Sequence, residues 1–396
     1  MIIAADWVVP VDGPPIRNGA VRAEGRAIAE VGPAGEAADE RFDGAVILPG
    51  LVNAHTHLEY AAMGGFGDGM AFGPWIEDHI RRKAATGAGD SLEQARAGAA
   101  ACLRAGVTTI ADCSYSGAVA DAAAEAGLRA IVYLEGFSDW PDLRARTEAR
   151  LDAATTTELV QPGVSPHAPF TVTLDDYRML VDLARERGVP IATHLLESAR
   201  ETMHLEEFGD ILGPDTVAIH VVYADPGDIE LMAGRDIPGV HCPRSNALLG
   251  CGIAPLPELL EAGVRMGLGT DSPSSAIDFD MWAEMRAAIM HARARLGRAD
   301  ALSARTALEL ATAGGAAALG LGAAAGTLTP GKAADICVLD LTGSSFLPWD
   351  DPVTAAVYGG SCDRVALTMV DGEIRYRRGS HPSPTAAAAR AKMIHA

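Results

Sequence analysis

Two histidines one residue apart close an apolar run, Leu48-Pro49-Gly50-Leu51-Val52-Asn53-Ala54-His55-Thr56-His57-Leu58-Glu59. In an extended strand, side chains alternate between faces. His55 and His57 therefore point the same way, about 7 Å apart by strand rise, and both can turn onto one metal ion. Taken alone, the pair is a weak metal signal and reads first as two polar residues on a solvated strand face. The rest of the chain supplies further His and Asp residues, each ending an apolar run of its own. His194 ends the run 190–194, and Glu197 follows three residues later. If a helical turn succeeds the strand, the two share a face. Glu197 then faces a metal that His194 binds, placed for proton transfer with the metal's water; otherwise it is a surface residue on a loop. Asp271 ends the run 265–271. A lone buried carboxylate is costly, and a metal ion would partner it; the alternative is an N-cap for the next helix.

Three more histidines have a context worth reading. His220 ends the run 216–220 and could ligate, or bond the attacking water or the tetrahedral oxygen. His167, between Pro166 and Pro169, is placed to contact substrate. His241 reads as a hydrogen-bonded packing residue. His79, His204, His291, His381 and His395 lie in helical or tail context and receive no role. Three His and an Asp make a nitrogen and oxygen donor set that suits Zn²⁺ or Fe²⁺. A second metal would call for a bridging group such as a modified lysine. Lys83, Lys332 and Lys392 are the only lysines and none ends a strand run. One ion per chain is expected, with Glu135 the residue that would spoil this.

The elements that must position these residues alternate. Apolar runs end at 57, 112, 135, 167, 194, 220, 241 and 271, and helical segments such as 91–105, 175–187 and 256–262 lie between them. Eight strands, most followed by a helix, imply an α/β fold with a parallel sheet. At this length they imply a (β/α)₈ TIM barrel over residues 47–325, with the site at the C-terminal strand ends. A doubly wound open sheet is the alternative. Residues 299–321 read as helix around Gly314-Gly315.

The chain ends read differently. Short strands over 1–5, 7–10, 19–24 and 27–31 are parted by turn signals, and a helical period first shows near 36–40. That is too little chain to close a core. Its partner is the far end, with strands over 336–341, 353–358 and 365–370 and an Asp371-Gly372 hairpin before 373–376. A small β-sandwich from 1–46 plus 326–385 is expected, followed by a tail, 386–396, that is a short helix or frayed.

The chain has 396 residues, 48% of them hydrophobic, enough to bury a sizeable core. Its net charge of −20 argues against nucleic acid and anionic membrane as partners. A small-molecule substrate is the expected partner. No basic leader and no span of about 18 apolar residues is present. Six scattered cysteines without a Cys-x-x-Cys pattern read as reduced thiols of a cytoplasmic protein.

Together these residues resemble the amidohydrolase superfamily over essentially the whole chain, from the 48–57 stretch to Pro330-Gly331-Lys332-Ala333-Ala334-Asp335. Within it the chain looks like the cytosine deaminase-like and chlorohydrolase-like branch. The matching pieces are Thr193-His194-Leu195-Leu196-Glu197, His220, Cys242-Pro243-Arg244-Ser245-Asn246 and Gly267-Leu268-Gly269-Thr270-Asp271-Ser272. The resemblance implies one metal on His55, His57, His194 and Asp271, a proton shuttled by Glu197, water polarised by His220, and commonly a homodimer. The implied reaction is hydrolytic deamination of an aromatic amine. Hydrolysis of a cyclic amide or carbon–halogen bond on the same site is a second reading, separated by the absence of ammonia. A non-catalytic barrel is a third, and it would be expected to have lost ligands.

The methylthioadenosine and S-adenosylhomocysteine deaminases of this branch carry a Glu two residues before a Trp; here Gly73 precedes Trp75. The segment 72–82 with Trp75, the continuation to Glu59, and Arg244-Ser245-Asn246 are more similar to the aminodeoxyfutalosine deaminases of menaquinone biosynthesis. That resemblance implies an adenine nucleoside bearing a benzoate, contacted by Trp75, Glu59, His167, Ser245 and Asn246. The carboxylate needs a local cation, for which Arg244, Arg81 and Arg82 are the candidates.

Overall fold

The computed structural model describes the chain except residues 36, 202, 346–349 and 380–396. It opens with β1 (Ile2–Val8), β2 (Ile16–Glu24), β3 (Ala27–Pro33) and β4 (Glu40–Pro49). β1 is continuous where two short strands were expected. The expected helical period near 36–40 gives no helix: Glu40 begins β4, and Glu36 lies outside the described residues. At Gly50 the chain passes from this sheet into the barrel. A Cβ there would lie 2.1 Å from Thr108 Oγ1, so only glycine allows the close approach.

The barrel strands follow in order: β5 (Leu51–Thr56), β6 (Val107–Ser114), β7 (Arg129–Gly136), β8 (Val160–Pro166), β9 (Ile191–Leu195), β10 (Thr216–His220), β11 (Gly239–His241) and β12 (Met266–Leu268). Each pairs in parallel with the next. β12 returns to β5 through a parallel bridge between Thr56 and Asp271 and an Asp271 N–H donated to His55 O at 3.0 Å. The doubly wound alternative is excluded. Between the strands lie α1 (Phe72–Ala85), α2 (Ala88–Arg104), α3 (Ala118–Ala126), α4 (Leu143–Ala153), α5 (Leu174–Arg187), α6 (Pro226–Gly234), α7 (Pro243–Leu248) and α8 (Leu256–Glu261). After β12 come α9 (Pro273–Ala276) and α10 (Met281–Leu296). Inside the barrel, Val52, Ile131, Tyr133, Ala192 and Ile219 pack with Ala316 and Leu319. The 299–321 stretch is two short helices joined by a wide turn, Leu310–Gly314. Gly314 and Gly315 let it approach the strands: Cβ atoms there would lie 2.7 Å from Met266 O and 3.0 Å from Val52 Cγ1.

The far end returns as β13 (Ile336–Asp340), β14 (Val365–Val370) and β15 (Glu373–Arg377), the last two joined by the Asp371-Gly372 turn. The terminal strands form one seven-stranded sheet, ordered β15-β14-β13-β4-β1-β2-β3. It curls over its own apolar face. Ile28 at the start of β3 donates to Lys332 O at 2.8 Å, and Ala334 donates to Arg26 O at 2.8 Å, just ahead of β13. The expected sandwich is thus a single sheet folded on one core. Residues 353–358 are not a strand but part of the helix Pro352–Gly359. Asp351 caps it, accepting from Val353 N at 3.1 Å and Thr354 N at 3.2 Å, and Pro352 fits its first turn. That local start signal outweighs the β-branched composition. The 386–396 tail, with His395, and His381 lie outside the described residues. Among the described residues, no helix is long and apolar enough to cross a membrane.

Candidate active site

Four imidazoles converge at the C-terminal mouth of the barrel. Ring centroids lie 4.8 Å apart for His55 and His57, 5.0 Å for His55 and His194, and 5.6 Å for His194 and His220. Asp271 Oδ1 lies 3.7 Å from His55 Nε2 and 3.6 Å from His57 Nε2. Strand alternation alone does not produce this. A register shift between Asn53 and Thr56 turns His55 inward just after inward-facing Ala54. Leu196, His220 and Asp271 all adopt left-handed backbone, with φ of 53°, 76° and 60°. Such conformations cost non-glycine residues on the order of 1–3 kcal/mol, and they collect where a structure must aim a side chain.

Neighbouring groups fix how the imidazoles face. His57 Nδ1–H donates to Cys113 O at 2.6 Å, and His194 Nδ1–H donates to His167 O at 2.8 Å. Carbonyl oxygens only accept, so both rings present a bare Nε2 to the centre. His220 Nδ1–H is held by Asn246 Oδ1 at 3.0 Å. His55 Nε2 is buried and has no hydrogen-bond partner among the described residues. Burial, then the surrounding imidazoles, pushes His55 well below its usual pKa and brings His194 down to about 3. Burial works against Asp271, but His57, His220 and the Ser245 hydroxyl hold it below the usual carboxylate range. The Asp271, Glu135 and Asp112 carboxylates outweigh burial at His57 and raise its pKa, so a cation there would displace a proton. Low-pKa imidazoles at His55 and His194, an ionised carboxylate and an orphaned buried nitrogen are what a divalent cation requires. His55, His57 and Asp271 place three donor atoms within 4.8 Å of one another. His57, His194 and Glu135 form a second such group, so Glu135 is the residue through which any second ion would be held.

Glu197 enters differently from the expected helical turn. Left-handed Leu196 swings the chain inward, and the Glu201 carboxylate clamps the bend. It accepts from Leu196 N at 2.7 Å, Glu197 N at 2.8 Å and Ser198 N at 3.3 Å. Glu197 Oε1 then lies 3.6 Å from His220 Nε2. Burial, followed by repulsion from Asp271 and Glu201, raises the Glu197 pKa well above the ordinary value, while burial lowers that of His220. A carboxyl group with a raised pKa faces an imidazole with a lowered one, an arrangement suited to delivering a proton.

A cavity of about 570 Å³ opens above these groups, lined by His57, His194, Glu197, His220 and Asp271 below and by aromatic residues above. Trp75 and His167 line it as expected. Four other expected substrate contacts do not. Glu59 is buried, bonded to Ser116 N at 3.1 Å and to the hydroxyls of Ser114 and Ser116, and it pins the loop after β6. Ser245 Oγ donates to Asp271 Oδ2 at 2.6 Å, and Asn246 bridges His220 and His241. These residues position the centre from behind. His241 is the packing residue expected. Arg244 is spent on Glu284, on Asp278 Oδ1 at 2.7 Å and on Asp278 O at 3.0 Å. Arg81 and Arg82 both pair with Asp78. None of these arginines lines the cavity.

Sequence reasoning missed Lys83, His79 and Glu201. Phe72, Trp75, Ile76, His79, Ile80 and Lys83 all line the cavity from α1, at the i, i+3, i+4 spacing of one helical face. That spacing was the signal available. His79 stacks on Trp75, with centroids 5.1 Å apart, and meets Tyr60 edge-on at 4.6 Å.

The description "Amidohydrolase family" belongs to the family model that matches residues 46–375. The 5-methylthioadenosine/S-adenosylhomocysteine deaminase of Syntrophobacter fumaroxidans is 36% identical over 394 residues, covering 92% of this chain and 89% of that protein. The 5'-deoxyadenosine deaminase of Methanothermobacter thermautotrophicus is 33% identical over 396 residues, covering 93% and 92%. Among solved structures, an adenosine deaminase from Xanthomonas campestris with bound zinc matches at a TM-score of 0.91 and 27% identity, over 100% of this chain and 98% of that one. Atrazine chlorohydrolase TrzN from Arthrobacter aurescens TC1, complexed with zinc, shares the fold at a TM-score of 0.87 and 23% identity, over 99% of each chain.

Proposed function

The chain belongs to the amidohydrolase family, hydrolases of carbon–nitrogen bonds other than peptide bonds, and we propose that it is a metal-dependent deaminase of the adenine ring. The observation that carries this reading is the meeting of Glu197 and His220, 3.6 Å apart, with the His55, His57, His194 and Asp271 cluster beneath one cavity. His55, His57, His194 and Asp271 would hold one divalent ion, Zn²⁺ before Fe²⁺. Bound there, the ion brings the pKa of a water toward neutrality. Asp271 is placed to take a proton from the attacking water as its oxygen adds to the amine-bearing ring carbon. Glu197 delivers its proton to the adjacent ring nitrogen, which makes that carbon electrophilic. His220 bonds the added oxygen, with its ring oriented by Asn246. A second proton transfer to the exocyclic nitrogen releases ammonia.

The substrate in this proposal is 6-amino-6-deoxyfutalosine, in cytoplasmic menaquinone biosynthesis, handled by a homodimer without nucleic acid or membrane. Gly73 supports it: two residues before Trp75, where the resemblance would put a ribose-gripping Glu, the chain has no side chain at all. The names of the relatives favour a second reading, with methylthioadenosine, S-adenosylhomocysteine or 5'-deoxyadenosine as substrate. Steady-state kcat/KM across these four nucleosides decides between them. Preference for 6-amino-6-deoxyfutalosine supports the first reading, and preference for methylthioadenosine overturns it. Turnover of a chlorinated or cyclic-amide substrate without ammonia would overturn both.

A further inference from the structure

Lys83 carries a charge that the deamination chemistry leaves unused. It stands in the last turn of α1, on the cavity-facing stripe, one turn beyond His79. His79 touches Tyr60, which in turn lies 5.5 Å from His57, and Phe137 lies 4.7 Å from His167, so Lys83 stands on the cavity wall with side chains between it and the metal-site imidazoles. Its Nζ lies 4.1 Å from the Tyr115 ring centroid and 4.9 Å from that of Phe137. Trp140 completes an aromatic wall, 5.8 Å from Tyr115 and 5.1 Å from Phe137.

Among the described residues, Lys83 is the only lysine or arginine that lines the cavity; Arg146, stacked on Trp140, and Arg200, over Gly73, stand off it. Arg81 and Arg82 hold Asp78, Arg244 holds Glu284 and Asp278, and Arg150 bonds the carbonyls of Ser114 and Tyr115. Lys83, by contrast, has only aromatic faces as close partners. In a chain with 52 acidic residues and a net charge of −20, this ammonium has no bonded carboxylate among the described residues, although buried Glu135 on the same cavity lining feels its charge. Cation–π contact of this kind leaves the outer N–H donors free.

We propose that Lys83 is a specificity-determining residue, which binds the carboxylate of an aryl group carried by the adenine nucleoside while that aryl ring packs on Tyr115, Phe137 and Trp140. This rests on the deaminase reading and names the cation that the paired arginines cannot supply. Stacking against aromatic side chains and a charge-assisted hydrogen bond then act on one substituent. A neutral 5'-substituent gains only the first.

The test uses the zinc-loaded enzyme and a matched pair, 6-amino-6-deoxyfutalosine and its carboxamide. The acid-to-amide ratio of kcat/KM is expected to fall about tenfold or more in Lys83→Met, chiefly through KM, and to recover in part in Lys83→Arg. An unchanged ratio in Lys83→Met overturns the proposal even if both rates drop, since a folding defect lowers both together. If no adenine nucleoside is turned over, the deaminase reading fails on its own, and saturation-transfer NMR with benzoate and benzamide judges Lys83 instead. A benzoate signal lost in Lys83→Met sustains the anion site; the same signal in both proteins overturns it.

Discussion

Glu201 does not line the cavity, yet three backbone amides, including that of Glu197, bond to its carboxylate. Replacing it by Gln keeps an acceptor but loses the charge that strengthens those bonds. Glu201→Gln is expected to lower kcat by about tenfold with little change in KM, because the proton donor loosens while the binding wall stays. Glu197→Gln removes the proton itself and should cost about 10²–10⁴ in kcat, read by steady-state kinetics at neutral pH. The pH profile carries a sign. Burial, Asp271 and Glu201 raise the pKa of Glu197, and in the proposed reaction its protonated form is the one that delivers the proton. The rate should therefore decline as pH rises through that raised value, and Glu197→Gln should abolish this limb. Glu197, His220 and the cluster of His55, His57, His194 and Asp271 were legible in the sequence because each ends, or closely follows, an apolar run. Glu201 was not, because its partners are backbone amides made available only by the left-handed turn at Leu196. Arg244 misled for a related reason: beside the Cys242-Pro243 motif it reads as a binding group, and nothing local shows Glu284 forty residues on.

Elements were legible where their pattern was long. Eight strand runs gave eight barrel strands, since each is a buried apolar run with a polar end at the site. The helix Pro352–Gly359 was misread as a strand because Val353 and Val357 suit either state and the run is short. Its Asp351-Pro352 start was the better signal. The site depends on such caps. Asp280 caps α10, accepting from Trp282 N at 2.9 Å, and α10 carries the Glu284 that holds Arg244. Asp280→Ala should lower stability by about 1 kcal/mol in urea unfolding. The stripe of α1 could have been read from its 3.6-residue period, but the period does not tell which neighbour the face covers. Only the closed barrel turns Lys83 toward Tyr115 and Phe137.

The two ends of the chain meet the barrel through charge as well as through Gly50. Arg129 at the start of β7 reaches Asp335 at 3.0 Å and Asp371 at 3.4 Å, tying the terminal sheet to the barrel wall. Arg129→Met would leave buried Asp335 without its cation, at a cost of about 3–5 kcal/mol, visible as a lower urea midpoint. The curled terminal sheet was legible in its strands but not in its closure, which depends on backbone pairing between Arg26–Ile28 and residues 331–334, distant in the chain. Metal binding should also register in the whole molecule. Chelation is expected to lower Tm and Zn²⁺ to restore it, with about 4 kcal/mol of stabilisation at a thousandfold excess over Kd. His55→Ala should blunt that response. The most direct test of the account is ultraviolet difference spectroscopy of the zinc-loaded protein with adenine nucleosides, together with ammonia release. Conversion of the adenine chromophore to hypoxanthine, one ammonia per turnover, and loss of both in Glu197→Gln are expected. A protein with metal bound at this site that leaves every adenine nucleoside unchanged would contradict it.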